Sequence, residues 1–384
     1  MYNWGAKTII NFSIHYLLYY MKEFNMFKKT LLALSVSMMT ASAAQAATVY
    51  NNDNTSLNLG GRVQSNINSV FAAYDFDETD QHKVKVEGSA RLNVDAKTRI
   101  YDGVNAAAFA EWQVASESSE NGKFDTRYAT VGFETDHFGS LKFGQTESAL
   151  YNVLGVTDVY EDIFFSANTL GAYADGGRQE GQIIYSIEDL NGFSFGATYQ
   201  SAGLRGVKSG AAFSLGYTFN QESLPIFLGA GYDTYNTEET EAQNEDLEDL
   251  VGLSSSLSRD SFGFGLSVGE IGDGFYGAAG YQLSKYAKRN GYKLNDVNSY
   301  EVVAGYGIEG WQFLLGYENA QFGGETVVND IDLEIKYNFN DQFLVYADAL
   351  LAPTNHTENR TVPDYVRFKD KAHDLLTVGV QYNF

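Results

Sequence analysis

Apolar residues recur at every second position along most of this chain, and that alternation limits what it can fold into more than any single motif does. Leu376, Val378, Val380, Tyr382 and Phe384 fall on one face of an extended segment, and Thr377, Gly379, Gln381 and Asn383 fall on the other. Phe193, Phe195, Ala197 and Tyr199 alternate in the same way with Ser194, Gly196, Thr198 and Gln200. Ile331, Leu333, Ile335, Tyr337 and Phe339 alternate with Asp332, Glu334, Lys336 and Asn338. A helix turns every 3.6 residues and cannot hold these side chains on one side, whereas a strand, with its period of two, does so automatically. The pattern predicts sixteen strands, the first over 55–73 and the last over 373–384. Short turns at 101–103, 136–139, 189–192, 221–225, 269–274, 308–310 and 339–342 alternate with longer, more polar connections.

The N-terminus reads as an export signal. Met26-Phe27-Lys28-Lys29 is a short basic start, residues 30–39 are an apolar run, and Ala44-Gln45-Ala46 offers small residues at the positions a signal peptidase inspects. The run is too short to cross ~30 Å of hydrocarbon as a helix. Residues 26–46 are therefore expected to be a cleaved signal peptide and 47–384 a single domain, with 1–25 an upstream extension from a start codon placed too early. Removing the first 46 residues takes away four basic residues and one acid, leaving 22 basic against 48 acidic residues, a net charge of −26.

That charge excludes nucleic-acid binding through a general basic surface. The absence of cysteine excludes disulfides and thiolate metal sites. Plentiful glycine, scarce proline and many aromatics suit long strands with small residues at crowded pleats and aromatic girdles at two interfaces. No segment after Ala46 has the length of a membrane helix, so a membrane location requires a barrel. A soluble β-sandwich has no reason to alternate its loop lengths. The expected fold is an all-β, sixteen-stranded antiparallel transmembrane β-barrel with both termini at the short-turn end. The longest connection, 148–177, carries Leu150, Val153, Leu154, Val156, Ile163, Phe164, Phe165 and Leu170, and is expected to pack on the inside of the barrel.

Several segments make the resemblance specific: Ala47-Thr48-Val49-Tyr50-Asn51, Phe138-Gly139-Ser140-Leu141-Lys142-Phe143-Gly144, YNVLGVTDVYED over 151–162, and the Tyr-Asn-Phe end. With them the chain resembles the general diffusion porins, the trimeric sixteen-stranded family of enterobacteria and vibrios, over essentially all of 47–384. The resemblance implies a bacterial outer-membrane channel for passive diffusion of small hydrophilic solutes and ions, without cofactor, metal or catalytic residue. It implies a homotrimer in contact with outer-membrane lipid and lipopolysaccharide. It also implies a terminal aromatic, here Phe384, that is read by the barrel-assembly machinery. In that family the third external loop folds inward, and its acids face a basic ladder. Matched residue by residue, the ladder falls on Arg62 after Leu59-Gly60-Gly61, Arg91 in Ala90-Arg91-Leu92, Arg127 after Thr126 and Arg178 after Gly177. The loop acids fall on Asp158 after Thr157 and on Asp162, with Glu161 adjacent.

The alternation agrees with this placement. Leu57, Leu59, Gly61 and Val63 share a face, so Arg62 is on the other; Ala90, Leu92 and Val94 place Arg91 with Asn93 and Asp95. A charge facing lipid at mid-bilayer costs ~2–4 kcal/mol, so these arginines should face the lumen. The chain departs from the family in lacking a Pro-Glu-Phe-Gly-Gly loop tip, and in carrying Asp125 and Gln145 where relatives have bases. A weaker ladder and mild cation selectivity are expected. The acidic run 238–249 holds seven acids and no base, and reads as a solvated external loop rather than a divalent-cation site. His82, His137, His356 and His373 accompany no nucleophile elbow and no metal-ligand spacing. The competing readings are a solute-specific channel, an adhesin or phage-receptor barrel, and an outer-membrane phospholipase or protease.

Overall fold

All sixteen predicted strands form, and they close on themselves. The computed structural model describes residues 47–70, 83–116, 124–162, 178–201, 207–220, 224–237, 258–286, 296–351 and 374–384. The first strands are β1 Ala47–Asn51, β2 Thr55–Val70, β3 Lys83–Tyr101, β4 Val104–Val114, β5 Phe124–Thr135 and β6 Gly139–Glu147. Then come β7 Arg178–Leu190, β8 Phe193–Gln200, β9 Val207–Phe219, β10 Ile226–Thr237, β11 Ser258–Glu270 and β12 Asp273–Tyr286. The chain finishes with β13 Val297–Ile308, β14 Trp311–Phe322, β15 Glu325–Asn338, β16 Phe343–Leu351 and β17 Leu375–Asn383. From β2 to β17 each strand pairs antiparallel with its sequence neighbour, and β17 pairs with β2 from Leu375↔Val70 to Asn383↔Arg62, which completes the ring. A closed sheet leaves no strand edge, so every backbone group in hydrocarbon is paired. The signal segment, the acidic run 238–249, the second half of the long connection and His82, His356 and His373 lie outside the described residues.

Polarity is inverted relative to a soluble protein. Phe262, Phe264 and Leu266 on β11, Val302 on β13, Leu315 on β14 and Ile335 on β15 are exposed, while Ser261, Ser284, Glu318 and Thr377 are buried. The outward face is thus apolar and the enclosed face polar, as a bilayer outside and water inside demand. Aromatics gather towards both ends of the outward face. Phe193 and Tyr217 (4.5 Å) and Trp311 and Tyr337 (4.7 Å) meet near the short turns, and Tyr232 and Phe262 (4.9 Å) near the opposite rim. Around β4 that face is small instead, with Ala106, Ala108 and Ala110 facing outward beside Ala129.

The tight turns carry the required backbone geometry. Asn191 (φ 55°) with Gly192 (φ 90°), and Glu309 (φ 49°) with Gly310 (φ 86°), supply the two consecutive positive φ angles of a two-residue hairpin whose twist matches the strands. Two features depart from the expected pattern. β14 and β15 are joined at the loop end by Gly323-Gly324 alone, both at positive φ, so one connection on that side is as short as any turn. β1 is an additional short strand, paired only with the start of β2 from Ala47↔Leu59 to Asn51↔Ser56. All five of its residues are exposed, so no buried face marks it by alternation.

Candidate functional site

The connection leaving β6 turns into the barrel. A single helical turn, α1 (Tyr151–Leu154), is followed by a 3-10 turn over Gly155–Thr157. Leu150, Val153, Leu154 and Val156 are buried against the lumen side of β10–β12. They can lie there because the wall is stripped of side chains: Gly229 and Gly231 on β10 and Gly263 and Gly265 on β11 form a flat strip. A Cβ at Gly265 would stand 2.0 Å from the Val153 carbonyl oxygen, and one at Gly263 2.7 Å from Leu150 Cδ1. Further along, Val156 joins Phe227, Tyr276, Ala278, Val303 and Leu314 in an apolar cluster, with Val159 and Tyr160 against it. We therefore expect Gly265→Ala to push α1 off the wall towards the lumen, an overpacking of ~1–3 kcal/mol. Single-channel conductance should fall; wild-type conductance would mean that the seat on this wall does not set the aperture.

Polar contacts pin the rest of this segment. The Tyr276 hydroxyl donates to the Val156 carbonyl at 2.6 Å, and the Thr157 hydroxyl to Glu301 at 2.5 Å. The Glu161 N–H donates to Glu334 at 2.7 Å, and Lys336 Nζ donates to the Glu161 carboxylate at 2.8 Å. Asn66 Nδ2 donates to Asp162 at 2.7 Å, which ties the segment to β2. The three predicted loop acids therefore do not share one environment. Asp158 is exposed to the lumen and accepts the Tyr151 hydroxyl. Burial opposes the Glu161 charge, but Lys336, with Arg62 and Arg91 behind it, holds its carboxyl below the ordinary glutamate range. Burial prevails at Asp162 and raises it, despite hydrogen bonds from Asn66 and Thr377.

Facing this segment are the four predicted arginines, on four strands. Arg62 on β2 and Arg91 on β3 are direct cross-strand partners. Arg127 sits at a bulge: Glu111 pairs with Tyr128 and Trp112 with Thr126, so Arg127 is the extra residue of β5. A bulge re-aims a side chain and leaves backbone groups unpaired. Gln145 Nε2 donates to the freed carbonyls of Thr126 and Arg127, at 2.9 and 3.3 Å. Gln145 pairs with Ala129, which is on the outward face, so this residue supports the bulge and is no missing rung of the ladder. Arg178 begins β7 opposite Glu147. Asp158 lies within electrostatic reach of Arg91, Arg127 and Arg178, and Glu161 and Asp162 within reach of Arg62.

Three groups of residues escaped the sequence reading. Lys336 is one. Glu111 and Glu147 are a second pair, ion-paired to Arg127 at 2.7 Å and to Arg178 at 3.8 Å. The third is an acidic wall of Glu301, Glu318, Asp330, Asp332, Glu334 and Asp348 on β13–β16, each no more than 2% exposed. Alternation alone would have put most of them inside: Glu111, Glu301, Asp332, Glu334, Lys336 and Asp348 stand between outward apolar neighbours, whereas Glu318 and Asp330 have an Asn on one side and Glu147 lies between Thr146 and Ser148. Among the described residues no cluster of three or more His, Asp or Glu is placed to hold a metal ion.

The sequence pattern of the Gram-negative porin family matches residues 33–356. Porin-like protein L of Photobacterium profundum is 26% identical over 375 residues, covering 93% of this chain and 99% of its own. Outer membrane protein U of Vibrio parahaemolyticus is 26% identical over 377 residues, covering 93% and 100%. Among solved structures, Salmonella typhi OmpF in complex with daunomycin shares the fold with a TM-score of 0.68 at 19% identity, over 88% of this chain and all of that one. The family match covers β1 to β16 and the inward-turned segment, and on it this chain belongs to the Gram-negative porin family.

Proposed function

We propose that this outer-membrane channel passes small hydrophilic solutes and ions by passive diffusion, with a mild preference for cations. Its selective aperture would be the gap between Asp158 and Asp162 on the inward loop and Arg62, Arg91, Arg127 and Arg178 on the facing wall. The observation that carries this reading is the seat of the loop inside the ring, with exposed Asp158 within electrostatic reach of three of the arginines. A sixteen-stranded barrel leaves an aqueous lumen, and a loop laid inside it cuts that lumen to a size filter. The opposed charges set up a field across the gap, which orients dipolar solutes and disfavours apolar ones.

The cation preference rests on the sum of charges. The exported chain is strongly acidic, and the acidic wall of β13–β16 lies behind the loop. Two unit charges 4 Å apart interact by ~4 kcal/mol at an effective dielectric of 20. In a wide wet pore the Debye length of ~10 Å at 0.1 M salt reduces this, so the selectivity is modest and weakens with salt. A reversal potential in a KCl gradient, read at two ionic strengths, tests it; an anion-selective channel would sink the charge argument. On this reading no residue is catalytic.

The partners follow from the outward surface. The small-residue face of β4 lets flat walls approach closely, as small side chains do between membrane segments. We assign it to the subunit contact of a homotrimer, with lipid and lipopolysaccharide on the bulkier faces. Light scattering in mild detergent should give three times the protomer mass, and a monomer there would refute the assignment.

A further inference from the structure

Two of the four lumen arginines are already answered by carboxylates on their own wall. Arg127 Nε stands 2.7 Å from Glu111 Oε1. Glu147 Oε1 accepts the Tyr128 hydroxyl at 2.5 Å and lies 3.8 Å from Arg178 Nη1. The Tyr128 ring stands between the two arginines, its centroid 5.9 Å from the Arg127 guanidinium carbon and 5.6 Å from that of Arg178. The backbone imposes this arrangement. The bulge leaves Arg127 beside Tyr128 opposite Glu111, and Glu147 is the cross-strand partner of Arg178. Both glutamates are 5% exposed, so water screens them little. Among the described residues, Arg62 and Arg91 have no carboxylate at ion-pair distance; Glu161 and, more weakly, Glu111 act on Arg62, and Glu111 on Arg91, only from further away.

A charge beside its opposite presents a passing ion with a dipole, whose field falls faster with distance than that of a lone charge. We infer that Glu111 and Glu147 are selectivity-determining residues of this channel: by neutralising Arg127 and Arg178 they reduce the effective basic face to Arg62 and Arg91. The aperture is thereby tuned to cations and against anionic solutes such as carboxylates and phosphates. The inference rests on the proposed aperture, because it needs the arginines to line the path of the ion.

The test is E111Q with E147Q, which removes two charges and keeps side-chain size, measured beside R127Q and beside E111Q with R127Q. The potassium-to-chloride permeability ratio should fall by about threefold or more in the double glutamine variant at low salt. It should rise in R127Q and return to the wild-type value in E111Q/R127Q, where the charge balance is restored; a merely structural role for Glu111 predicts no such return. Folded protein is verified by heat-modifiable migration. Should the double variant not fold, E111Q and E147Q singly must each show part of the fall. An unchanged ratio in the glutamine variants alongside a shift in R127Q overturns the inference and leaves the aperture standing. An unchanged ratio in all of them overturns the aperture, and the inference with it.

Discussion

Replacing Asp158 and Asp162 together with asparagine is expected to move the reversal potential in a KCl gradient towards anions. Replacing Arg91 and Arg127 together with alanine is expected to move it the other way and to raise conductance. On the proposed aperture, the two changes act on opposite poles of one field. Asparagine keeps the size of each loop acid, so the Tyr151 and Asn66 contacts lose charge and little shape. The alanine pair removes two guanidinium groups and releases Glu111 from its partner, so it both deletes positive charge and exposes negative charge. Its shift should be the larger, by about severalfold in permeability ratio at low salt, and should shrink as the Debye length falls from ~10 Å at 0.1 M towards ~3 Å at 1 M. Wild-type reversal potentials in both variants would mean that these residues do not line the constriction.

Loss of Phe384 should sharply reduce the amount of protein in the outer membrane. Its N–H and carbonyl close two hydrogen bonds with Gly61, each 3.0 Å, at the seam where β17 meets β2. Its ring lies over Gly61, where a Cβ would come within 2.8 Å of it. Each of those bonds contributes only ~0.5–1.5 kcal/mol net. A charge on the outward face near the bilayer interface costs ~0–1 kcal/mol. The finished barrel should therefore tolerate Phe384→Asp or deletion far better than its assembly does, if the assembly machinery reads the terminal aromatic. The expected result is a large loss of folded, heat-modifiable protein in cells, beside near-normal refolding into detergent in vitro. Normal outer-membrane levels would refute the role in assembly. Equal losses in both settings would place the effect in the barrel's own stability.

The strands were legible because their signal is local. Asp332, Glu334 and Lys336 between Ile331, Leu333 and Ile335 declare a two-faced strand whatever lies beside them, and a lipid exterior makes the apolar face the outer one. The same rule placed Arg62 and Arg91 inside. It could not find β1, which has no buried face to alternate with; and it was the family resemblance, not alternation, that made Gln145 a lost base, whereas its side chain holds the carbonyls of a bulge. A bulge adds one residue to one strand relative to its partner, so it is a property of a pair of strands and leaves no period in either.

The sequence by itself therefore determined the sixteen strands of the closed ring, the face that their alternating residues take and the membrane solution, because each follows from a period of two and the cost of unpaired backbone groups in hydrocarbon. Which charges meet was decided only by tertiary structure. Lys336 lies 175 residues from Glu161, and Asn66 lies 96 from Asp162. These pairs exist because the ring closes between β17 and β2 and the loop then runs along the inner wall past strands remote in sequence. Alternation says that a side chain points inward; only the closed ring and the register of its strands say what stands across from it, and whether its charge is left open to the pore or cancelled at the wall.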